Sequence, residues 1–450
     1  MTHASDPTPP GDRPLYRWER AGLALLLVGV AAFGGLVVTR SAFQQSRKTD
    51  FGVYARAGYA VREGLDLYQI ADDNSWHYCY PPPFAVLMVP LADPLPWADH
   101  RGYLPFWVSV VIWYVVNAAL VWRAVSVFAA VALPDAAPRS RRWWYARLVP
   151  LYVCVGGIGF TLARGQVNLL LVWLFAELFA AALRGRAFTA GLWLAAAVCL
   201  KVVPAYLSLF HLVRGEWKAG VGLLAGSAVL LGAVPAAVWG PAGAVELNRT
   251  MVQVVVAPGT VGAGDQTRAK ELTDATATDS QSFQAVAHNC LHPVKATRPA
   301  AYDRRAKLIH LLASGLMTSA TAAAGWFARD RSPTARLVFL GCVSAGMLLV
   351  SPVSHMHYYA FGLPLASGLW LHVLARRPGA AVAGGPVVWA VIAWGVLTAL
   401  PLLPGTPFEQ FRQFGLGTLA TVALWAVGVR QLLGGERPDR LTPAARHRAE

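Results

Sequence analysis

The chain has 450 residues, of which 56% are hydrophobic and only 14% charged. A soluble domain carries about 25% charged residues, so these charges are too few to cover a water-facing surface. The formal net charge of +15 would suit nucleic acid in a soluble protein. Here the arginines lie between apolar runs and at the two ends, where membrane orientation and anionic headgroups account for them, and no nucleic-acid module is present.

The first apolar run, residues 21–38, reads AGLALLLVGVAAFGGLVV without a charge. It is longer than a signal-peptide core and no small-residue cleavage site follows, so it predicts a retained anchor helix. Further candidate spans fall near 82–95, 103–125, 148–163, 166–184, 188–213, 218–239, 306–328, 335–351, 357–375, 386–403 and 413–433. The run 82–95 is short and bounded by proline, which fits a re-entrant or surface helix as well as a span. The run 188–213 contains Lys201 and Pro204, where it can break. The pattern predicts an all-α polytopic membrane protein with about 10–12 transmembrane helices. Its domain spans residues 21–433, with large outer loops at 39–81 and 240–305, between tails 1–20 and 434–450.

Arginine placement sets the orientation. Arg13, Arg17 and Arg20 precede the first run, and Arg437, Arg440, Arg446 and Arg448 follow the last. Both tails read as cytoplasmic, which puts 39–81, 240–305, the turn near 352–357 and 404–412 outside. One conflict arises. Loop 126–147, with Arg139, Arg141, Arg142 and Arg147, reads as cytoplasmic, yet six full spans between the two long outer loops put it outside.

The outer segments carry the polar chemistry. Asp50 opens the first, in DFGVYARAGYAVREGLDLY. It reads either as a helix cap or as a general base beside the bilayer. In HYCYPPPFAVLMVPL, residues 77–91, the prolines turn an extended chain into an apolar helix, and Tyr78 and Tyr80 can stack on a sugar. Arg164, Gln166 and Asn168 form a polar notch between two apolar runs, read as a capped turn or as a functional site at membrane depth. Lys201 sits inside an apolar segment, where it snorkels or meets a phosphate. The loop stretch TDATATDSQSFQAVAHNCLH, residues 273–292, is rich in hydroxyls and amides that suit sugar hydroxyls. Its His288, Cys290 and His292 match no common zinc spacing. Last, His355, His357 and Tyr358 stand where an outer turn enters the next helix, as interfacial belt residues or as cavity groups. The five cysteines indicate no disulfide framework.

Together these blocks resemble one family, the polyprenol-phosphate-mannose-dependent α-(1→2)-mannosyltransferases, glycosyltransferase family 87, with the GT-C membrane fold. The resemblance lies in their order: Asp50-Phe51 with Tyr54 and Asp66-Leu67-Tyr68; Tyr80-Pro81-Pro82; Gly165-Gln166-Val167-Asn168; Lys201 with Pro204; Gln281-Ser282; and Ser351-Pro352 with His355, His357 and Tyr358. The sequence departs from the pattern at Ser280. The resemblance implies a polyprenyl-phosphate sugar donor, a glycolipid or glycan acceptor, a site on the outer face of the plasma membrane, and inversion at the anomeric carbon. It implies Asp50 as the base. The polar residues Tyr54, Tyr80, Arg164, Gln166, Asn168, Lys201, Gln281, Ser282, His355, His357 and Tyr358 are the candidate substrate-binding set. The leaving group is a singly linked phosphate, so neither a metal nor another cofactor is expected. A transferase of another polyprenyl-phosphate sugar, a transporter of lipid-linked sugars and a non-catalytic scaffold are the competing readings.

Overall fold

The computed structural model describes residues 13–44, 49–257, 274–376, 385–403 and 405–434. The expectations resting on Arg437, Arg440, Arg446 and Arg448, on most of each tail and on loop 258–273 lie outside them. Among the described residues the chain is helical, with no strand beyond isolated bridges. In chain order the helices are α1 (Arg17–Val38), α2 (Asp50–Glu63), α3 (Pro82–Leu87), α4 (Phe106–Ala132), α5 (Arg141–Val153), α6 (Val155–Arg164), α7 (Asn168–Leu183), α8 (Ala187–Leu200), α9 (Ser208–Val213), α10 (Trp217–Ser227) and α11 (Val234–Met251). After the second long loop come α12 (Phe283–Leu291), α13 (Arg304–Phe327), α14 (Pro333–Val350), α15 (Leu363–Arg376), α16 (Pro386–Ala399), α17 (Phe408–Gln413) and α18 (Leu416–Leu433).

Among the described residues, six helical stretches are long and apolar enough to cross a membrane alone, and a seventh is added if α5 and α6, bent by 65° at Cys154, count as one. The first span, α10–α11 and α13 leave most of their surface open, with Leu25, Leu224 and Leu316 each 72% exposed. Such surface is stable only against lipid. Of the shorter apolar helices, α7 is mostly buried within the bundle, while α8 and α16 each keep one open face. They can be short because their ends meet other protein rather than headgroups. Small residues let the backbones close. A Cβ at Gly191 of α8 would run into the Ala219 carbonyl of α10, and one at Gly222 into the Phe188 carbonyl.

Side-chain contacts sort the loops into two ends. At one end, the Arg141 amide donates to the Arg13 carbonyl at 2.8 Å, and the Arg141 guanidinium pairs with Glu19 at 2.9 Å. The same end holds Trp370 on the Tyr145 carbonyl, Arg376 on Asp330, and His372 between Thr334 and Gln431. The turns at 164–168, 201–203, 279 and 351–358 meet at the other end around one cavity.

This arrangement removes the conflict at loop 126–147. The run 82–95 is not a pass. It forms the six-residue α3 and a 3-10 turn, Val89–Leu91, pressed onto α2 where a Cβ at Gly58 would meet the Met88 carbonyl at 2.6 Å. The run 188–213 is not one continuous helix but two short apolar segments, Ala187–Leu200 and Val203–Val213, and counting them as an outward and a return crossing gives the topology tested below. The chain breaks at Lys201, which is extended with φ −155° and ψ 129°, and returns through a 3-10 turn, Val203–Leu207, and α9. One pass lost and one gained keep the two long loops at one end and move 133–140 to the other.

Loop 133–140 and residue 434 should therefore share a side of the membrane, and residue 276 should lie across it. With Cys79 and Cys290 replaced by serine, cysteines introduced at Ala137 and Gly434 should react with an impermeant maleimide from one side, and one at Thr276 from the other. Labelling of Ala137 and Thr276 from the same side would refute this topology.

Candidate active site

The cavity at the loop-bearing end has a volume of about 550 Å³, within the range of small-molecule sites. It is lined by polar groups, Asp50, Arg164, Lys201, Asp279 and His355 among them, and by the apolar Val203, Val255, Val256, Met347 and Val350.

Asp50 is the first residue of α2. Its Oδ2 accepts a hydrogen bond from Arg164 Nε at 2.9 Å. Arg164 ends α6 because the next residue, Gly165, turns left-handed with φ +67°. A Cβ there would lie 2.7 Å from Phe51 Cβ, so only glycine lets α6 end against the start of α2. Trp113 Nε1 donates to the Gly165 carbonyl at 2.8 Å and fixes the turn from α4.

Beneath this pair lies a hydroxyl network. Tyr54 donates to Gln166 Oε1 at 3.1 Å and lies 2.9 Å from the Tyr80 hydroxyl, with the two rings edge to face. Lys201 reaches the same floor. Its Nζ donates to Asn168 Oδ1 at 3.2 Å and sits 4.2 Å from the Tyr358 ring centre and 5.5 Å from that of Tyr80. Among the described residues no carboxylate lies within ion-pair distance of Lys201. Asn168 does not cap its helix. Its amide donates to the His357 carbonyl at 3.1 Å, which Thr161 also reaches at 3.0 Å.

Asp279 was missed by the sequence reading. It lines the cavity, with Oδ2 3.3 Å from His355 Nδ1, and a bridge between Ser280 and His355 holds the two loops together. Burial alone would raise the Asp279 carboxyl, but the charges of His355 and Arg412 more than offset it and hold it well below the usual range. Trp76 and His77 also line the cavity without having been singled out, and the Arg164 guanidinium lies 5.2 Å from the Trp76 ring centre.

Of the candidate set, Asp50, Tyr54, Tyr80, Arg164, Gln166, Lys201, His355, His357 and Tyr358 line the cavity. Asn168, Gln281 and Ser282 do not. Gln281 is fully buried, donating to the Arg412 carbonyl at 3.0 Å and accepting from Tyr359 at 2.9 Å. Ser282 caps α12 by accepting from the Ala285 amide at 3.1 Å. Tyr78 is buried, its hydroxyl on the Pro81 carbonyl. His288 is a loop staple: Nε2 reaches the Pro299 carbonyl and Nδ1 accepts from the Asp303 amide, each at 3.2 Å.

The sequence profile of Glycosyltransferase family 87 matches residues 78–352. The chain is also 26% identical over 437 residues to a polyprenol-phosphate-mannose-dependent alpha-(1-2)-phosphatidylinositol mannoside mannosyltransferase of Mycobacterium tuberculosis, covering 94% of this chain and 92% of that one. It is 25% identical over 452 residues to the protein of the same description from Mycolicibacterium smegmatis, covering 96% and 93%.

Replacing Gly165 by alanine tests the turn that joins Arg164 to Asp50. A left-handed alanine costs about 1–2 kcal/mol, and the clash with Phe51 adds to it. Thermal unfolding should shift down by an amount of that order, with transfer activity falling alongside. Gly220→Ala, where nothing lies within 4 Å, serves as the control and should unfold like the parent.

Proposed function

The chain belongs to glycosyltransferase family 87, and we propose that it moves mannose from a polyprenyl-phosphate donor to a hydroxyl of a membrane glycolipid, with inversion, on the extracytoplasmic face. That it is a membrane glycosyltransferase follows from the family. The observation that carries the finer reading is one cavity lined by the carboxylate of Asp50, by Lys201, which has no carboxylate partner among the described residues, and by the apolar Val203, Val255 and Val350.

Each part has a chemical role. The acceptor oxygen attacks the anomeric carbon from the face opposite the phosphate. Asp50 takes the hydroxyl proton as the new C–O bond forms. The old bond to phosphate oxygen breaks with its electron pair, leaving a polyprenyl phosphate whose extra negative charge needs a cation. Lys201 is suited to this, because Asn168 and two tyrosine faces hold its ammonium without neutralising it. His355, oriented by Asp279, can donate to the same phosphate or to a sugar hydroxyl. Arg164 fixes Asp50 through Oδ2. Tyr54, Tyr80 and Gln166 offer hydroxyl and amide groups to the sugar, and Tyr358 and His357 close the floor. The apolar wall suits the first isoprene units of the donor.

The end opposite the cavity carries arginines in short connections: 139–142, 184–186, 214 and 329–336. That bias favours a cytoplasmic location for it, which puts the cavity on the other face. The relatives are described as acting with polyprenol-phosphate-mannose and phosphatidylinositol mannoside, and this supports mannose and an anionic glycolipid here.

Two variants test the roles in reconstituted protein with a polyprenyl-phosphate mannose donor. Asp50→Asn should lower kcat by about 10²–10⁴-fold with donor binding little changed. Asp66→Asn is the control and should be milder, since the Asp66 carboxylate accepts from the amides of Tyr68 and Gln69 in a local turn. Near-normal transfer by Asp50→Asn, or a larger loss at Asp66, sinks the base assignment.

Lys201→Met keeps the apolar stem and removes the charge. Turnover should fall by at least about tenfold if the ammonium meets the leaving phosphate. Unchanged turnover in well-inserted protein would leave Lys201 as a residue that only supports the fold.

A further inference from the structure

The cavity-end start of α13 carries a charge pattern that the transfer reaction does not use. α13 buries Ala306, Ser314, Met317, Thr321 and Ala324 against the bundle. Its other stripe is open and changes character within one turn. Arg304, Arg305 and Lys307 are exposed, and directly after them Leu308, Ile309, Leu311, Leu312 and Leu316 are exposed by 45–72%. An apolar stripe that open faces hydrocarbon, so the step from Lys307 to Leu308 marks the lipid–water boundary.

Three cations at this helix start have little to hold them within the protein. The first turn of a helix favours anions. Among the described residues no acidic side chain forms an ion pair with Arg304, Arg305 or Lys307. Asp303 is engaged elsewhere, accepting from the Arg305 amide at 2.6 Å and lying 3.4 Å from His292. On the topology proposed above, this is also the face where Lys and Arg are normally depleted. Just before the patch, Tyr302 packs its ring 5.3 Å from His288, which ties the start of α13 to the second long loop.

We propose that Arg304, Arg305 and Lys307 form a docking patch for the phosphodiester headgroups of anionic phospholipids in the leaflet beside the cavity. Guanidinium forks match phosphate oxygens in pairs, the Lys307 ammonium adds a point charge, and the stripe below takes the acyl chains. The patch gathers anionic lipids around the cavity-bearing end of the bundle. It rests on the proposed function only for the face on which it lies.

The test uses full-length protein in liposomes of phosphatidylcholine containing a photoactivatable phosphatidylglycerol. Cross-links should map to the peptide holding 304–307. Excess phosphatidylglycerol should compete, while phosphatidylcholine and free inorganic phosphate should not. Attraction of roughly fivefold per cation at low salt predicts that the triple change Arg304→Gln, Arg305→Gln, Lys307→Gln removes at least nine-tenths of the labelling, roughly. Arg304→Lys with Arg305→Lys keeps the charge and should retain most of it. Should the triple variant fail to fold, Arg305→Gln alone should still cut labelling by about fivefold. Equal labelling by a phosphatidylcholine probe, competition by inorganic phosphate, or undiminished labelling of the glutamine variants would overturn the proposal. Asp50→Asn protein should label like the parent, so loss of transfer and loss of lipid docking are read separately.

Discussion

Asn168 ties three helix breaks together, and the cavity depends on that tie. The chain leaves regular helix at 165–167, at 201–202 and at 351–355. Each break frees backbone groups that lipid cannot satisfy, so each must be answered from within the protein. The Asn168 amide donates to the His357 carbonyl in the 3-10 turn that follows the third break, and its oxygen accepts from Lys201 at the second. Thr161, one turn before the first break, donates to the same carbonyl. A single carbonyl and a single amide thus hold three segments that sequence separates by up to 189 residues. The charged side chains of those segments are then held facing one space.

The charges in that space differ in how they are held. Arg164 is matched to Asp50 and His355 to Asp279, each across a few ångströms. Lys201, unlike Arg164 and His355, is held by an amide oxygen and aromatic faces, with no carboxylate partner among the described residues. An ammonium so held keeps its field for a ligand, since a neutral amide satisfies its geometry but cancels none of its charge. The paired cations shape the carboxylates; the one without a carboxylate partner is the group with charge to spare.

Much of this was legible in the sequence, and what was not has physical causes. Apolar runs gave the helical membrane class because bilayer thickness imposes their length. The notch at Arg164–Asn168 and the lone Lys201 stood out because polar groups at that depth are expensive. The pass count was not legible. A hydropathy window cannot tell one long run interrupted at Lys201 from two short passes, nor a six-residue dip at Pro82 from a span. Asp279 was hidden for the opposite reason. It sits in a loop rich in Asp and Thr, where no contrast marks one carboxylate, and only the pairing with His355 singles it out. Gln281 and Ser282 lie outside the cavity lining, where their side chains meet protein groups, and residue type alone does not separate that use from ligand binding.

The depth of the site follows from the same breaks. α7 begins and α8 ends at the cavity, so its polar groups stand where two short apolar helices stop. A donor whose phosphate sits at headgroup level and whose chain lies in lipid must enter such a site from the side, its apolar part along Val203, Val255 and Val350. A soluble acceptor would come from above. A glycolipid acceptor would arrive in the plane of the leaflet, as the donor does. An open stripe on α13 that begins with cations at the lipid boundary suits the second route, because it meets molecules that travel within the leaflet and offers nothing to molecules in solution beyond it.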